Sequence, residues 1–181
     1  TVWDAVREVV PTVERTGLDE GYLDFGEIAE SFGEVRALAE AVQTSVRGAT
    51  SLSAAIGVAT SKVVAKIASD RRKPGGLTIV PPGREASFLA PFDVRRLPGV
   101  GPRSEARLRA AGLETIGALA QLDEEELRRL LPGKVGFLLR DRARGIDPRP
   151  LETATERISI STEETFERDI ADRERLKDEL R

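Results

Sequence analysis

The sequence predicts an α+β protein: a sheet with packed helices up to about residue 83, followed by a small all-helical module built on a helix-hairpin-helix. Three observations carry this expectation. Apolar runs of strand character alternate with amphipathic helical spacing as far as Gly83. No convincing strand follows over residues 84–147, where short helical patterns are divided by Gly and Pro. Finally, Leu97-Pro98-Gly99-Val100-Gly101-Pro102 sets two glycines and a helix-starting proline between two of those helices.

In chain order, Val2, Val6, Val9 and Val10 share one side of a helix that Pro11 ends. The stretch from Val13 through Gly17 to Tyr22-Leu23-Asp24-Phe25 predicts a hairpin with Asp19 and Glu20 at or beside its turn. A long amphipathic helix is expected over 28–46 and a buried strand over 52–59. Val63, Val64, Ile67 and Ala68 stripe a helix over 60–71, Gly75-Gly76 breaks it, and Leu77 to Val80 is a short strand closed by Pro81-Pro82-Gly83. Helical patterns then cover 85–89, 93–97, 104–111, 116–122, 124–131 and 135–144, with 145–150 as a linker. Ile158 and Ile160 alternate with serines as in a strand, and a charged helix begins near Asp172.

Composition narrows the chemistry. The 181 residues include no Cys and no His, which removes disulfides, thiolate or imidazole metal ligands, cysteine nucleophiles and Ser-His triads. A metal would be held by oxygen, which favours magnesium, manganese or calcium. No run approaches the length needed to cross a bilayer and no leader is seen, so a cytoplasmic protein is expected. The chain opens on Thr1 inside a helical pattern and stops inside another, and is expected to be an excised piece of a longer protein. The net charge of −3 conceals an asymmetry: residues 1–50 carry 4 basic and 10 acidic side chains, residues 51–110 carry 11 and 4. A basic block between acidic flanks suits a polyanion, or is a solvated helix face.

Three motifs carry chemistry. Asp19 and Glu20 are adjacent at a turn, where two carboxylates can converge on a cation that also takes phosphate oxygens; otherwise they are an exposed pair. Lys62 and Lys66 share a helix face and Lys73 falls in Lys73-Pro74-Gly75-Gly76; flexible ammonium groups suit a triphosphate, or solubilise the face. In Pro98 to Ser104, glycines allow close approach to a phosphate and the helix start supplies free amides, with Arg103, Arg107 and Arg109 adding attraction. DNA-backbone binding is therefore expected at Gly99, Val100, Gly101, Arg103 and Ser104, without sequence readout. Gly133-Lys134-Val135-Gly136 reads as a weaker second copy. Trp3, Tyr22 and Phe25 are expected in the core.

The order of these motifs resembles the Y-family, lesion-bypass DNA polymerases of the DNA polymerase IV type. Gly17-Leu18-Asp19-Glu20-Gly21-Tyr22-Leu23-Asp24 is similar to the family's Ser-x-Asp-Glu-Ala-Tyr/Phe-Leu-Asp palm motif, with Gly17 and Gly21 in place of the commoner Ser and Ala. Ile56 to Ala59 and Lys62 to Gly76 resemble the segment that ends the palm and contacts the incoming triphosphate, with Ser61 in place of the usual Asn. Leu97 to Gly101 resembles the thumb's helix-hairpin-helix, and Ala143 to Asp147 the thumb's end. The resemblance implies a partial polymerase palm over 1–83, a thumb over 84–150, and a linker with the truncated start of a little finger over 151–181.

The resemblance also implies catalytic and metal-binding roles for Asp19 and Glu20, triphosphate contacts from Lys73 and Lys66, and two magnesium ions in the complete enzyme. Its partners would be primer-template DNA and a deoxynucleoside triphosphate, with a sliding clamp reached through regions outside this chain. The first metal-binding Asp of the family would precede Thr1, so the chain alone is expected to be inactive. The rival expectation is a non-catalytic DNA-binding adaptor built on the same scaffold.

Overall fold

The computed structural model describes residues 1–153, 166 and 171–179. Helix α1 (Val2–Arg7) is started by a capping box between Thr1 and Asp4 and turns Trp3, Ala5 and Val6 inward. Strands β1 (Val13–Arg15) and β2 (Gly21–Leu23) pair antiparallel, with Glu14 opposite Tyr22. The turn between them closes on the Glu20 carbonyl, which accepts the N–H groups of Thr16 (3.0 Å) and Gly17 (3.1 Å) and the Thr16 hydroxyl (3.1 Å). Trp3 then pins the turn from α1, its indole N–H donating to the Leu18 carbonyl at 3.0 Å. This answers why Gly stands at 21: a Cβ there would lie 2.5 Å from the Glu14 carbonyl oxygen and 2.6 Å from the Trp3 ring.

Helix α2 (Phe32–Thr50) begins four residues later than the apolar pattern predicts. Its start is set by polar groups, since the Ser31 hydroxyl accepts the Glu34 N–H and the Glu34 carboxylate accepts the Glu30 N–H. Ile28, which drew the expected start forward, is exposed. Ala39, Val42 and Val46 form the buried stripe, and Val42 and Val46 make one core with Trp3, Val6, Val10 and Val13.

Strand β3 (Ile56–Val58), helix α3 (Lys62–Asp70) and strand β4 (Leu77–Ile79) form a parallel βαβ unit. The expected 52–59 strand is shorter because Ser51 caps α2 in the left-handed conformation (φ 61°), leaving Leu52 exposed. The Gln43 amide meanwhile donates to the carbonyls of Ala54 and Gly75, so ladder pairing begins only at Ile56. Among the described residues the four strands form two separate two-stranded sheets rather than one.

The helical module follows its local signals closely: α4 (Glu85–Leu89), a 3-10 turn (Val94–Arg96), α5 (Pro102–Ala110), α6 (Ile116–Gln121), α7 (Glu124–Leu130) and α8 (Lys134–Ala143). Thr115 caps α6, and Asp123 with Glu126 makes a capping box on α7. Leu89, Leu97, Leu108, Leu119, Leu127 and Leu139 fill a second core that also takes in Val63, Val64, Ile67 and Val80. Residues 145–150 carry no helix or strand, yet Asp147 is buried and the Gly145 carbonyl accepts the Ser61 hydroxyl at 2.9 Å, so this stretch is packed down. Helix α9 (Arg173–Glu179) matches the expected charged helix, whereas the strand pattern at Ile158 and Ile160 lies outside the described residues.

Gly21→Ala should destabilise the chain by about 1–3 kcal/mol, because Trp3 and a backbone carbonyl must both shift to admit one methyl. Gly17→Ala, where a Cβ meets nothing, should stay within about 0.5 kcal/mol of the parent. Urea melts of the two variants check the difference.

Candidate nucleotide and nucleic-acid interface

The hairpin turn carries Asp19 and Glu20 on the surface, both exposed. Helix α3 lies against the hairpin through two ion pairs one helical turn apart. Lys62, at the first position of α3, is buried and bonds to Glu14 on β1; Lys66, four residues on, bonds to Glu20 and is part-exposed. Lys73 lies beyond the end of α3, paired to Asp70 at 2.6 Å. Asp70 raises the Lys73 ammonium above its ordinary value through that hydrogen bond, and the charges of Glu20 and Asp19 raise it further. The structure thus pairs Lys66 with Glu20, the neighbour of Asp19, while the contact of Lys73 is with Asp70 and not with the turn. Lys62 stands apart as a buried partner of Glu14 rather than a solvated lysine.

Asp19 makes no hydrogen bond or ion pair among the described residues, and Glu20 is held by Lys66 through its side chain. Two adjacent, accessible carboxylates fit a hard divalent cation that also binds phosphate oxygens. Among the described residues no third acidic side chain joins them into a group that could hold a metal unaided.

Glu14 is the junction of this region. Burial pushes its carboxyl up, but the hydrogen bond from Lys62 and the Glu152 N–H at 2.8 Å outweigh burial and hold it below the usual carboxylate value. Tyr22 lies beside Lys62, whose ammonium sits 5.4 Å from the ring centroid. Tyr22 and Phe25 are half-buried and, with Phe32, Val35 and Lys62, line a cleft of about 400 Å³ between the end of β2 and β3, so of the three aromatics Trp3 alone is a buried core residue.

In the helix-hairpin-helix, Gly99 adopts φ 101°, a conformation that suits glycine, and Gly101 caps α5 with Pro102 following. The N–H groups of Gly99, Gly101, Arg103 and Ser104 have no partner among the described residues. Val100 differs, because its N–H donates to the Leu97 carbonyl at 3.0 Å and its side chain packs against the core. Arg109 also differs from the expected role. Its Nη2 donates to both Asp93 oxygens (2.8 Å) and its Nε to Glu105 (3.0 Å), which Arg95 also holds, so it braces α5 against the 3-10 turn. Arg103 and Arg107 form no ion pair among the described residues and face solvent. At the weaker second copy, a Cβ on buried Gly136 would lie 2.5 Å from the Leu131 carbonyl, so that glycine serves helix packing.

Comparison with known proteins matches this arrangement to one family. A model described as the impB/mucB/samB family covers residues 1–70, and one described as the DNA polymerase-iota thumb domain covers residues 95–147. A DNA polymerase IV of Streptomyces coelicolor is 42% identical over 173 residues, 94% of this chain and 36% of that protein. The DNA polymerase IV of Methanoculleus marisnigri is 46% identical over 160 residues, 88% of this chain and 44% of that protein. This chain belongs to the Y-family DNA polymerases. Like its fold, the structure of DinB from Sulfolobus solfataricus aligns with TM-score 0.74 at 24% identity, over 84% of this chain and 45% of that one. A post-insertion binary complex of Dbh DNA polymerase aligns with TM-score 0.73 at 24% identity, over 83% and 45%. The chain therefore spans less than half the length of these relatives. No helix among the described residues is long and apolar enough to cross a membrane.

This Y-family chain holds residues that sequence patterns did not single out. Glu14 and Asp147 are single acids in polar surroundings and Gln43 is one amide on a helix; none carries a local signal. Asp147 has a side chain 1% exposed and is held by Arg149 at 2.6 and 2.7 Å. The Arg149 hydrogen bonds hold its carboxyl below the usual value against an opposing push from burial. A depressed folded-state value means that the stabilisation is whole above about pH 4, the unfolded value, and disappears as pH falls through the folded one. Asp147→Asn should therefore flatten the acid limb of stability below about pH 4. Urea midpoints measured from pH 5 to pH 2 on both chains check it; parallel curves would show that Asp147 is not coupled to folding.

Proposed function

We propose that this chain is the palm and thumb portion of a template-directed DNA polymerase of the lesion-bypass class, which joins a deoxynucleotide to a primer 3′-hydroxyl and releases pyrophosphate. In that reading residues 1–83 belong to the palm, 84–150 to the thumb, and 151–181 lead into a little finger. The cytoplasm, where the template lies, is its setting. The observation that supports the reading is the pair of adjacent carboxylates Asp19 and Glu20 on a pinned hairpin turn, with Lys66 bonded to Glu20.

Each side chain has a defined task. Asp19 and Glu20 would hold divalent magnesium, which when bound neutralises phosphate charge and aligns the attacking and leaving oxygens. Lys73 is exposed and can exchange Asp70 for the triphosphate, an exchange of one exposed pair for another at little cost. Lys66 reaches a phosphate only by leaving Glu20, so its resting task is to hold that carboxylate in place. In the thumb, the free N–H groups of Gly99, Gly101, Arg103 and Ser104 with the Arg103 guanidinium would take the DNA backbone, whatever its sequence.

Two expected outcomes test the halves separately. With this chain completed by the remaining length of a DNA polymerase IV relative, Asp19→Asn and Glu20→Gln should each lower kcat by about two orders of magnitude or more with DNA binding intact. Lys73→Ala should act mainly on the nucleotide KM. Nucleotide titrations on one primer-template read both, and carboxylate variants with wild-type turnover would leave the adaptor reading in place. The 181-residue chain alone should bind but not extend the same primer.

For the thumb, Gly101→Val should weaken duplex binding about tenfold for every sequence tested. A Cβ at Gly101 meets nothing and its φ of −90° suits any residue, so the fold is spared. Gly99→Val is the poorer probe, because strain at φ 101° would disturb the loop with or without DNA. Fluorescence anisotropy with a labelled duplex measures the change, and unaltered affinity would reduce the hairpin to a turn.

A further inference from the structure

We propose that Arg142 is a positioning residue for DNA-backbone capture: its guanidinium holds the Pro98 carbonyl beneath the 97–101 loop and thereby aims the Gly99 N–H at the phosphate. The role deepens the thumb reading above and rests on it. Arg142 stands on the last turn of α8, 44 residues from the loop in sequence, and its Nη1 donates to the Pro98 carbonyl at 2.9 Å. A Cβ on Gly99 would lie 2.8 Å from that same nitrogen and 3.1 Å from Leu139 Cδ2. The guanidinium therefore lies directly against the inner side of the loop, and Gly at 99 leaves the room it occupies.

The consequence for the amides follows from peptide geometry. In a trans peptide the C=O and N–H point to opposite sides. With the Pro98 oxygen drawn inward onto Arg142, the Gly99 N–H of the same peptide must point outward, away from the protein. The next N–H, of Val100, is turned back to the Leu97 carbonyl at 3.0 Å. The loop thus sorts its amides, one spent internally and its neighbour presented, and Arg142 fixes which is which. The side chain is half-buried, its Nε is buried without a partner among the described residues, and the buried Asp147 carboxylate is near enough to feel its charge. A guanidinium placed and spent in this way shapes the loop without touching DNA, unlike Arg103 on the exposed face of α5.

Salt dependence separates the two roles. Each phosphate contact by a cation adds about one to the magnitude of the slope of log K against log salt, whereas a positioning group adds none. Duplex binding by the whole 181-residue chain is measured by anisotropy across a salt series for the parent, Arg142→Met, Arg142→Gln and Arg103→Ala, with thermal melts confirming folding. Arg142→Met, which has neither donor nor charge, should bind about tenfold more weakly at every salt concentration with the parent slope. Arg142→Gln, a neutral donor, should stay within about threefold of the parent, again with the parent slope. Arg103→Ala should flatten the slope by about one.

A flattened slope in either Arg142 variant makes Arg142 a phosphate ligand and overturns the proposal, as does parent-like affinity in Arg142→Met. Should Arg142→Met fail to melt cooperatively, the slope of Arg142→Gln decides. A parent chain that binds no duplex sinks the DNA-binding reading and this role with it. Binding that is lost in Gly101→Val but intact in Arg142→Met sinks this role alone.

Discussion

Lys62 enters the core at the first turn of α3, and its ammonium must find a partner there. Glu14 supplies it. A buried pair of this kind adds little net stability over an apolar pair, but removing one partner costs about 3–5 kcal/mol because the other charge is left without water. The hairpin therefore has to dock on α3 in one register, with Glu14 beside Lys62. Once it does, the helical repeat brings Lys66 to the turn that carries Glu20. Glu14 also accepts the Glu152 N–H, so the chain leaving α8 returns to the same point. The candidate catalytic face is thus set by one charge that has no second place to go.

Two other kinds of ion pair matter around this face and the thumb. Lys66 with Glu20 and Lys73 with Asp70 are part-exposed, screened by solvent, and open to exchange with a phosphate or a cation. The Asp93, Arg109, Glu105 and Arg95 cluster instead ties the 3-10 turn to α5, and Asp147 with Arg149 closes a pair within the stretch after α8. Arg95 and Arg109, both counted in the basic block 51–110, are spent in this way. On α8, Arg142 serves the Pro98 carbonyl, and Arg144 on its C-cap serves the Ala120 carbonyl at 2.9 Å. A count of cations therefore overstates the exposed positive surface of the helical module, where Arg103 and Arg107 face solvent with no ion pair among the described residues.

A shared core joins the helical module to α3. Val63, Val64 and Ile67 of α3 pack into the same cluster as Leu89, Leu97 and Leu139. The helix that carries Lys66 toward Glu20 thus presents its other face to the elements that carry the 97–101 loop. Motion of one relative to the other would open close-packed apolar surface, which costs roughly 25 cal/mol per Å² exposed.

Local signals alone determined a good deal. The Gly and Pro punctuation and the apolar stripes located α3 to α8, because helix spacing and capping are properties of neighbouring residues. The Asp19-Glu20 adjacency is covalent, and the loop from Leu97 to Pro102 was visible as two glycines before a proline. Where a local cue misled, a different local cue had won: exposed Ile28 suggested an early α2, while Ser31 and Glu34 set its start. The tertiary structure alone decided which charges meet. Lys62 and Glu14 are 48 residues apart, Lys66 and Glu20 are 46, and Arg142 and Pro98 are 44. Periodicity reports which face of an element is apolar. It carries no information on which distant polar group will be waiting when that face is buried, since desolvation acts only after the chain has folded and makes each buried charge accept the partner that packing brings.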